Sequence, residues 1–198
     1  MKLSYSGASP YVRKAMACAI IRGIDGQLSD LGFKTTDANL AALNPLGKIP
    51  TLVTPDGLAL YDSPVICEYL DSVGSAPKLF PAAGTARWKA LQLQALGDGV
   101  MDASQPRRRE IALPQDDGRK DYIATQRGKV ERAIDMLEAE ADQLGMLATI
   151  GDVTIACALG YLDFRYQNEP WRAGHPKLEA WYAKVLAMPA MAKTMPAA

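Results

Sequence analysis

Apolar and polar residues alternate over residues 2–6, the two-residue period of a half-buried strand. Gly7-Ala8-Ser9-Pro10 interrupts that pattern. Val12, Met16, Ala19 and Ile20 then recur at helical spacing, and Gly23 is the residue type that closes a helix. Residues 26–31 read as a second strand, and Thr36 as the cap of a short helix running to Leu43. After the loop Asn44-Pro45-Leu46-Gly47, two strand-like stretches, 51–53 and 58–61, flank the turn Pro55-Asp56-Gly57. Ser63-Pro64 opens a third helix, with serine as cap, proline at the first helical position, and Val65, Ile66, Tyr69 and Leu70 on its apolar face.

The order is β-α-β-α-β-β-α over residues 1–75. The helical connections imply crossovers, and the tight turn implies a closing antiparallel hairpin. Residues 76–84, with Pro77 and Pro81, read as a linker. From residue 85 to 198 the period is helical throughout. A helix runs from Thr85 to near Arg109, bent near Pro106. After a polar break at 114–118, Ile123, Val130, Ile134, Leu137, Ala141 and Leu144 mark a helix over 120–144. Thr149-Ile150-Gly151-Asp152 resembles a capping box with Asp in place of Glu. It starts a helix, apolar on every side, that reaches about Tyr166 and requires burial between others. A last helix covers 176–188. The predicted fold class is an α/β unit followed by an all-α unit.

Composition narrows the function classes. The chain is 48% hydrophobic and 22% charged, as a globular protein with a core should be. Its 22 basic and 22 acidic residues cancel, so no global field draws it to nucleic acid or an anionic membrane. No apolar run approaches the roughly 20 residues of a membrane span. The start Met1-Lys2-Leu3-Ser4-Tyr5 lacks the apolar core of a secretion signal, and a cytoplasmic location is expected. Cys18, Cys67 and Cys157 lie far apart in apolar helical stretches, which predicts buried free thiols rather than a disulfide framework or a metal knuckle. The single histidine, His175, precedes Pro176 and reads as a loop or cap residue, which removes most histidine-based mechanisms.

Four segments could carry chemistry. Ser9 caps a helix whose first turns hold Arg13 and Lys14, cations where the helix dipole disfavours them. Ser9 is then a plain cap, or a cap combined with an anion or thiolate site. Pro50 either begins a strand, where it costs no ladder bond, or follows a cis bond that offers the N–H and C=O of Ile49 to a peptide-like ligand. Asp62-Ser63 either supplies a cap and a surface acid, or holds the ammonium and carboxylate of an amino-acid end. Arg107-Arg108-Arg109 is a solvated helix end or a site for an acidic co-substrate. Trp88, Trp171 and Trp181 read as core or interface aromatics.

In this order, Ser9-Pro10-Tyr11-Val12-Arg13-Lys14, Asn44-Pro45-Leu46-Gly47-Lys48, Ile49-Pro50, Asp62-Ser63, and the stretch from Ala156 through Arg165 resemble the cytosolic glutathione transferase family. The closest likeness is to its bacterial serine-type members, and it spans essentially the whole chain. The resemblance implies a thioredoxin-like first unit. It implies glutathione as co-substrate with no metal, a homodimer, and a small hydrophobic electrophile or a peroxide as second substrate. It implies that Ser9 contacts the sulfur and Ile49, before a cis Pro50, pairs with the cysteinyl backbone. Asp62 (Glu in most of the family) and Ser63 would hold the γ-glutamyl end, and Lys48 would approach the glycyl carboxylate. Lys34 or Thr36 would assist, and Asp98 or Asp102 would reach the ammonium across a dimer. Met101, Gln105, Arg109 and Tyr161 are the positions expected to face the electrophile. Serine at position 9 cannot form a mixed disulfide, which weighs against thiol-exchange chemistry. A non-catalytic glutathione-binding or protein-interaction module of the same fold is the alternative, and isomerase or dehalogenase chemistry a third.

Overall fold

Four short strands form one sheet in the order β2-β1-β3-β4 in a computed structural model, which describes residues 1–197. β1 (Lys2–Leu3) lies parallel to β2 (Ser29–Asp30), as the crossover through α1 (Pro10–Ile21) requires. β3 (Leu52–Val53) runs antiparallel to both β1 and β4 (Ala59–Leu60), after α2 (Ala38–Leu43). α3 (Ser63–Val73) completes the β-α-β-α-β-β-α order, and every later element is helical. The strands are shorter than alternation predicts, and residues 26–31 divide into a 3-10 turn, Asp25–Gln27, and β2.

Several helix ends fall on a neighbouring residue. Asp37, not Thr36, caps α2, its carboxylate accepting the Asn39 N–H at 2.9 Å. Asp62 takes the cap position of α3, which puts Ser63 inside the first turn with its hydroxyl uncommitted to the helix. α4 (Gly84–Ile111) passes through Pro106, and α5 (Asp117–Ala139) is capped by Asp116, whose carboxylate accepts the Arg119 N–H. The capping box at α6 (Ile150–Arg165) forms as expected: Thr149 Oγ1 accepts the Asp152 N–H, and Asp152 accepts the Thr149 N–H. The final helical stretch divides at Pro189 into α7 (Pro176–Leu186) and α8 (Pro189–Ala192).

α6 is the axis of the core, with every residue from 150 to 162 buried. It meets α4 where side chains are absent. A Cβ on Gly151 would lie 2.6 Å from that of Leu93, and one on Gly97 would lie 2.8 Å from Thr154 Cγ2. The two parts of the chain meet along α1 and α6 and through the linker. Buried Asp71 of α3 accepts the N–H groups of Leu79 and Phe80 and pairs with buried Arg22 at 3.2 Å. The Leu79 carbonyl in turn accepts the Ile150 N–H. All three cysteines are buried free thiols. Trp171 and Trp181 are buried, but Trp88 is 68% exposed and so is not a core residue.

His175 sits at the cap position of α7, as its neighbour Pro176 suggests. Its ring nitrogens face two acceptors, Nδ1 the Trp171 carbonyl at 2.6 Å and Nε2 the Asp135 carboxylate at 2.9 Å. Only the doubly protonated imidazolium can donate to both. Burial lowers the His175 pKa, but these two contacts outweigh it and the net shift is upward. A raised pKa contributes stability that is full below the unfolded value of about 6.5 and is lost as pH rises through the folded value. The stability difference between the parent and His175→Gln, measured by urea unfolding, is therefore expected to be larger at pH 6 than at pH 8.

Candidate functional site

α1 begins at the mouth of a cleft of about 680 Å³ between the sheet-bearing unit and the helices α4 and α6. Ser9, in extended backbone, caps α1, and its Oγ accepts the Val12 N–H at 3.3 Å. An oxygen that accepts from the helix still has its own O–H to donate into the cleft. Pro10 has no N–H, and among the described residues the Tyr11 N–H has no partner, so the helix end offers a second free donor there. The Tyr11 hydroxyl is already committed to the Asp102 carboxylate. Burial, then that contact, raises its pKa far above the ordinary tyrosine value, so it stays a protonated donor.

Arg13 and Lys14 do not serve this end of the helix. Arg13 turns to the C-terminal segment and donates to the Met191 carbonyl at 3.2 Å. Lys14 is buried against Asp98 at 2.6 Å. Burial pushes the Asp98 pKa up, and Lys14 opposes the shift. The cations that hinted at an anion site are explained instead by packing partners distant in sequence. Asp98 and Asp102, expected to reach across a dimer, each have a partner in their own chain, Lys14 and the Tyr11 hydroxyl.

Lys48, Ile49, Asp62 and Ser63 all line the same cleft as Ser9, although they come from separate segments. The Ile49–Pro50 bond is cis. Asn44 holds the preceding loop by donating to the Lys48 carbonyl and to Thr51 Oγ1. Among the described residues, neither the N–H nor the C=O of Ile49 has a hydrogen-bond partner. At α3 the Ile66 N–H is taken by the Asp62 carbonyl at 3.0 Å, which leaves those of Ser63 and Val65 free. Of the loop before α2, Thr35 reaches the cleft, while Lys34 and Thr36 do not line it.

The opposite wall comes from the last turns of α4 and α6. Of the four positions expected to face the electrophile, Gln105, Arg109 and Tyr161 line this wall, while Met101 is fully buried in the core and does not line it. Arg108 and Arg165 line it too. Helical spacing shows them in retrospect: Arg108 is three residues after Gln105, and Arg165 is four after Tyr161. Burial raises the Tyr161 pKa, against the opposing pull of Arg108 and Arg165. The reading of residues 107–109 as a solvated helix end fails at Arg107, which is buried, pairs with Glu169 at 2.6 Å and stacks on the Tyr166 ring.

A thioredoxin-like sheet, a helical second half and a cleft between them with a serine-capped helix at its mouth define the class of the protein. Residues 8–73 match the family Glutathione S-transferase, N-terminal domain, and residues 106–184 match Glutathione S-transferase, C-terminal domain. The chain is 35% identical over 201 residues to the uncharacterized GST-like protein YibF of Escherichia coli K12, covering 99% of this chain and 98% of that protein. A glutathione transferase family member from Pseudomonas fluorescens Pf-5, solved with bound glutathione, superposes with a TM-score of 0.94 at 41% identity over 100% of this chain and 99% of that one. A second structure from that organism, with bound S-(propanoic acid)-glutathione, gives 0.90 at 41% identity over 100% of both chains. The chain belongs to the glutathione S-transferase family.

Proposed function

We propose that this protein binds glutathione along the sheet-bearing side of the cleft, holds its sulfur as thiolate at Ser9, and transfers it to a small electrophile. The observation that carries the proposal is the convergence of unpaired donors and acceptors on one cleft. They are the Ser9 hydroxyl, the Tyr11 N–H, both backbone groups of Ile49, and Asp62 with the free N–H groups at the start of α3. Ile49 would pair with the cysteinyl backbone as an added strand does. Asp62 would receive the γ-glutamyl ammonium, while Ser63 Oγ and the free N–H groups receive its carboxylate. Lys48, exposed at the rim, would meet the glycyl carboxylate. That glutathione-bound relatives of nearly equal length superpose on this chain supports the assignment.

The energetics suffice for thiol activation. A thiol of pKa about 8.5 is only a few per cent ionised at pH 7. Lowering that value by two units takes roughly 2.7 kcal/mol. A hydrogen bond to a charged group supplies about 1.5–3 kcal/mol, and a helix N-terminus about 0.3–1 kcal/mol. The thiolate then forms a bond to the electrophilic centre while the bond to the leaving group breaks, and Ser9 stays un-ionised. Titrating the ultraviolet thiolate absorbance of glutathione bound to the parent protein tests this, and a pKa well below that of free glutathione is expected. A pKa equal to the free value would leave a glutathione-binding module without transferase chemistry.

The protein is also proposed to act as a homodimer in the cytoplasm. Trp88 of α4 and Val65 of α3 are large apolar side chains left exposed, on helices that the Arg87–Glu68 ion pair joins, and they offer apolar surface to a second copy. Sedimentation should show a parent dimer and a monomer for Trp88→Glu; a monomeric parent would refute the dimer.

A further inference from the structure

The cleft carries more positive charge than glutathione can use. Its wall holds four cations, Lys48, Arg108, Arg109 and Arg165, against two carboxylates, Asp62 and Asp102. Given the placement of glutathione proposed above, Asp62 is taken by the ammonium and Lys48 by the glycyl carboxylate. Asp102 already accepts from Tyr11. Three guanidinium groups remain, all on the helical wall beyond the sulfur.

None of the three has an ion-pair partner among the described residues, whereas Arg107, next to them in sequence, is paired with Glu169. Arg165 Nε is buried with no hydrogen-bond partner, and its guanidinium lies 3.9 Å from the centre of the Phe164 ring, a face that orients it without neutralising it. Exposed Arg108 and Arg109 lie in the last turn of α4 and Arg165 in that of α6, ends that favour cations, but the buried Arg165 Nε without a partner costs free energy that a bound anion would offset. Tyr161 and Gln105 beside them add a hydroxyl and an amide to this wall. The electrophile wall therefore carries three cations beside the Tyr161 ring and Pro106, more charge than a small apolar electrophile would use.

We propose that Arg108, Arg109 and Arg165 form an anion site that takes the carboxylate of a small acidic electrophile and sets its reactive carbon against the glutathione sulfur. Arginine suits this role because its planar fork binds a carboxylate through two parallel hydrogen bonds. The inference rests on the glutathione reading and adds the substrate class.

Iodoacetate and its neutral isostere iodoacetamide separate the two. In each, the thiolate forms a C–S bond as the C–I bond breaks and iodide leaves, and only the carboxylate differs. Rates are divided by those of free glutathione at the same thiolate concentration. The parent should favour iodoacetate over iodoacetamide by about tenfold or more, the worth of one charge-assisted hydrogen bond. Arg108→Gln and Arg165→Gln should each erase most of that ratio. Arg165→Lys, which keeps the charge and loses the fork, should retain part of it. The thiolate titration is run on the same samples. A shifted thiol pKa with no preference for iodoacetate overturns the anion site and leaves the transferase reading intact. Arginine variants that slow both substrates equally while raising the thiol pKa also overturn it, since the arginines would then serve the sulfur. No binding of glutathione by the parent overturns the reading beneath.

Discussion

Ser9→Ala is expected to return the thiol of bound glutathione most of the way to its free pKa and to lower kcat/KM at neutral pH by about ten- to a hundredfold. The range follows from the roughly 1.5–3 kcal/mol of a hydrogen bond to a charged acceptor, at 1.36 kcal/mol per tenfold. Stability should fall less, because the cap contact with the Val12 N–H is long, at 3.3 Å, and losing a serine cap costs about 1 kcal/mol. The free N–H of Tyr11 survives the substitution, so a residual shift of a few tenths of a unit should remain. The Tyr11 hydroxyl offers no substitute donor while Asp102 holds it. Ser9→Cys should keep glutathione binding and add mixed-disulfide formation with glutathione disulfide, since a cysteine thiolate can attack that S–S bond and release one glutathione thiolate, which a hydroxyl cannot. The measurements are the thiolate titration and kcat/KM with a single electrophile. A Ser9→Ala protein with the parent's shifted pKa would remove Ser9 from the mechanism and assign the effect to the helix end.

The legible parts of this fold are those written in local chemistry. The caps at Ser9 and Thr149, the turn at Pro55-Asp56-Gly57 and the strongly apolar α6 follow from short-range rules, and the structure realises each. The convergence of Ser9, Ile49, Asp62 and Ser63 on one cleft was legible only because their order along the chain resembles a known family. The residues misjudged were those whose partners lie far away in sequence. Arg13 and Lys14 look like anion ligands until Met191 and Asp98, 178 and 84 residues on, are brought to them. Met101 lies one helical turn before Gln105, close to it on the helical wheel. One is fully buried and the other half-buried at the cleft, a difference set by tertiary packing that no local pattern encodes. The same limit separates Arg107 from Arg108 and Arg109.

The largest loss of stability is expected at Asp71, which touches no substrate. Its carboxylate accepts the Leu79 N–H at 2.8 Å and the Phe80 N–H at 3.4 Å and lies 3.2 Å from Arg22 Nε, with both charged side chains at most 3% exposed. Asp71→Ala leaves a buried guanidinium without its counter-charge and two buried N–H groups without acceptors, a change that costs about 3–5 kcal/mol. For a chain of this length that lowers the Tm by roughly 6–20 °C. Asp71→Asn should lose less, because its amide oxygen can still accept the Leu79 N–H. Replacing Arg22 and Asp71 together by apolar residues should recover part of the loss, since neither charge is then stranded. Glu68→Ala, which breaks the more exposed pair with Arg87, should cost only about 0–1 kcal/mol. Urea unfolding of the four variants separates these cases, and an Asp71→Ala protein within about 1 kcal/mol of the parent would show that the linker is not anchored there. The consequence reaches the cleft through the chain itself. Leu79, held by Asp71, carries the carbonyl that accepts the Ile150 N–H at the start of α6, and the far end of α6 bears Tyr161 and Arg165. Loosening the linker therefore frees the helical wall to shift against Ser9. Asp71→Asn, folded but loosely anchored, should raise KM for the electrophile more than it changes the glutathione thiol pKa, because in the proposed placement the sulfur is held by the sheet-bearing unit alone.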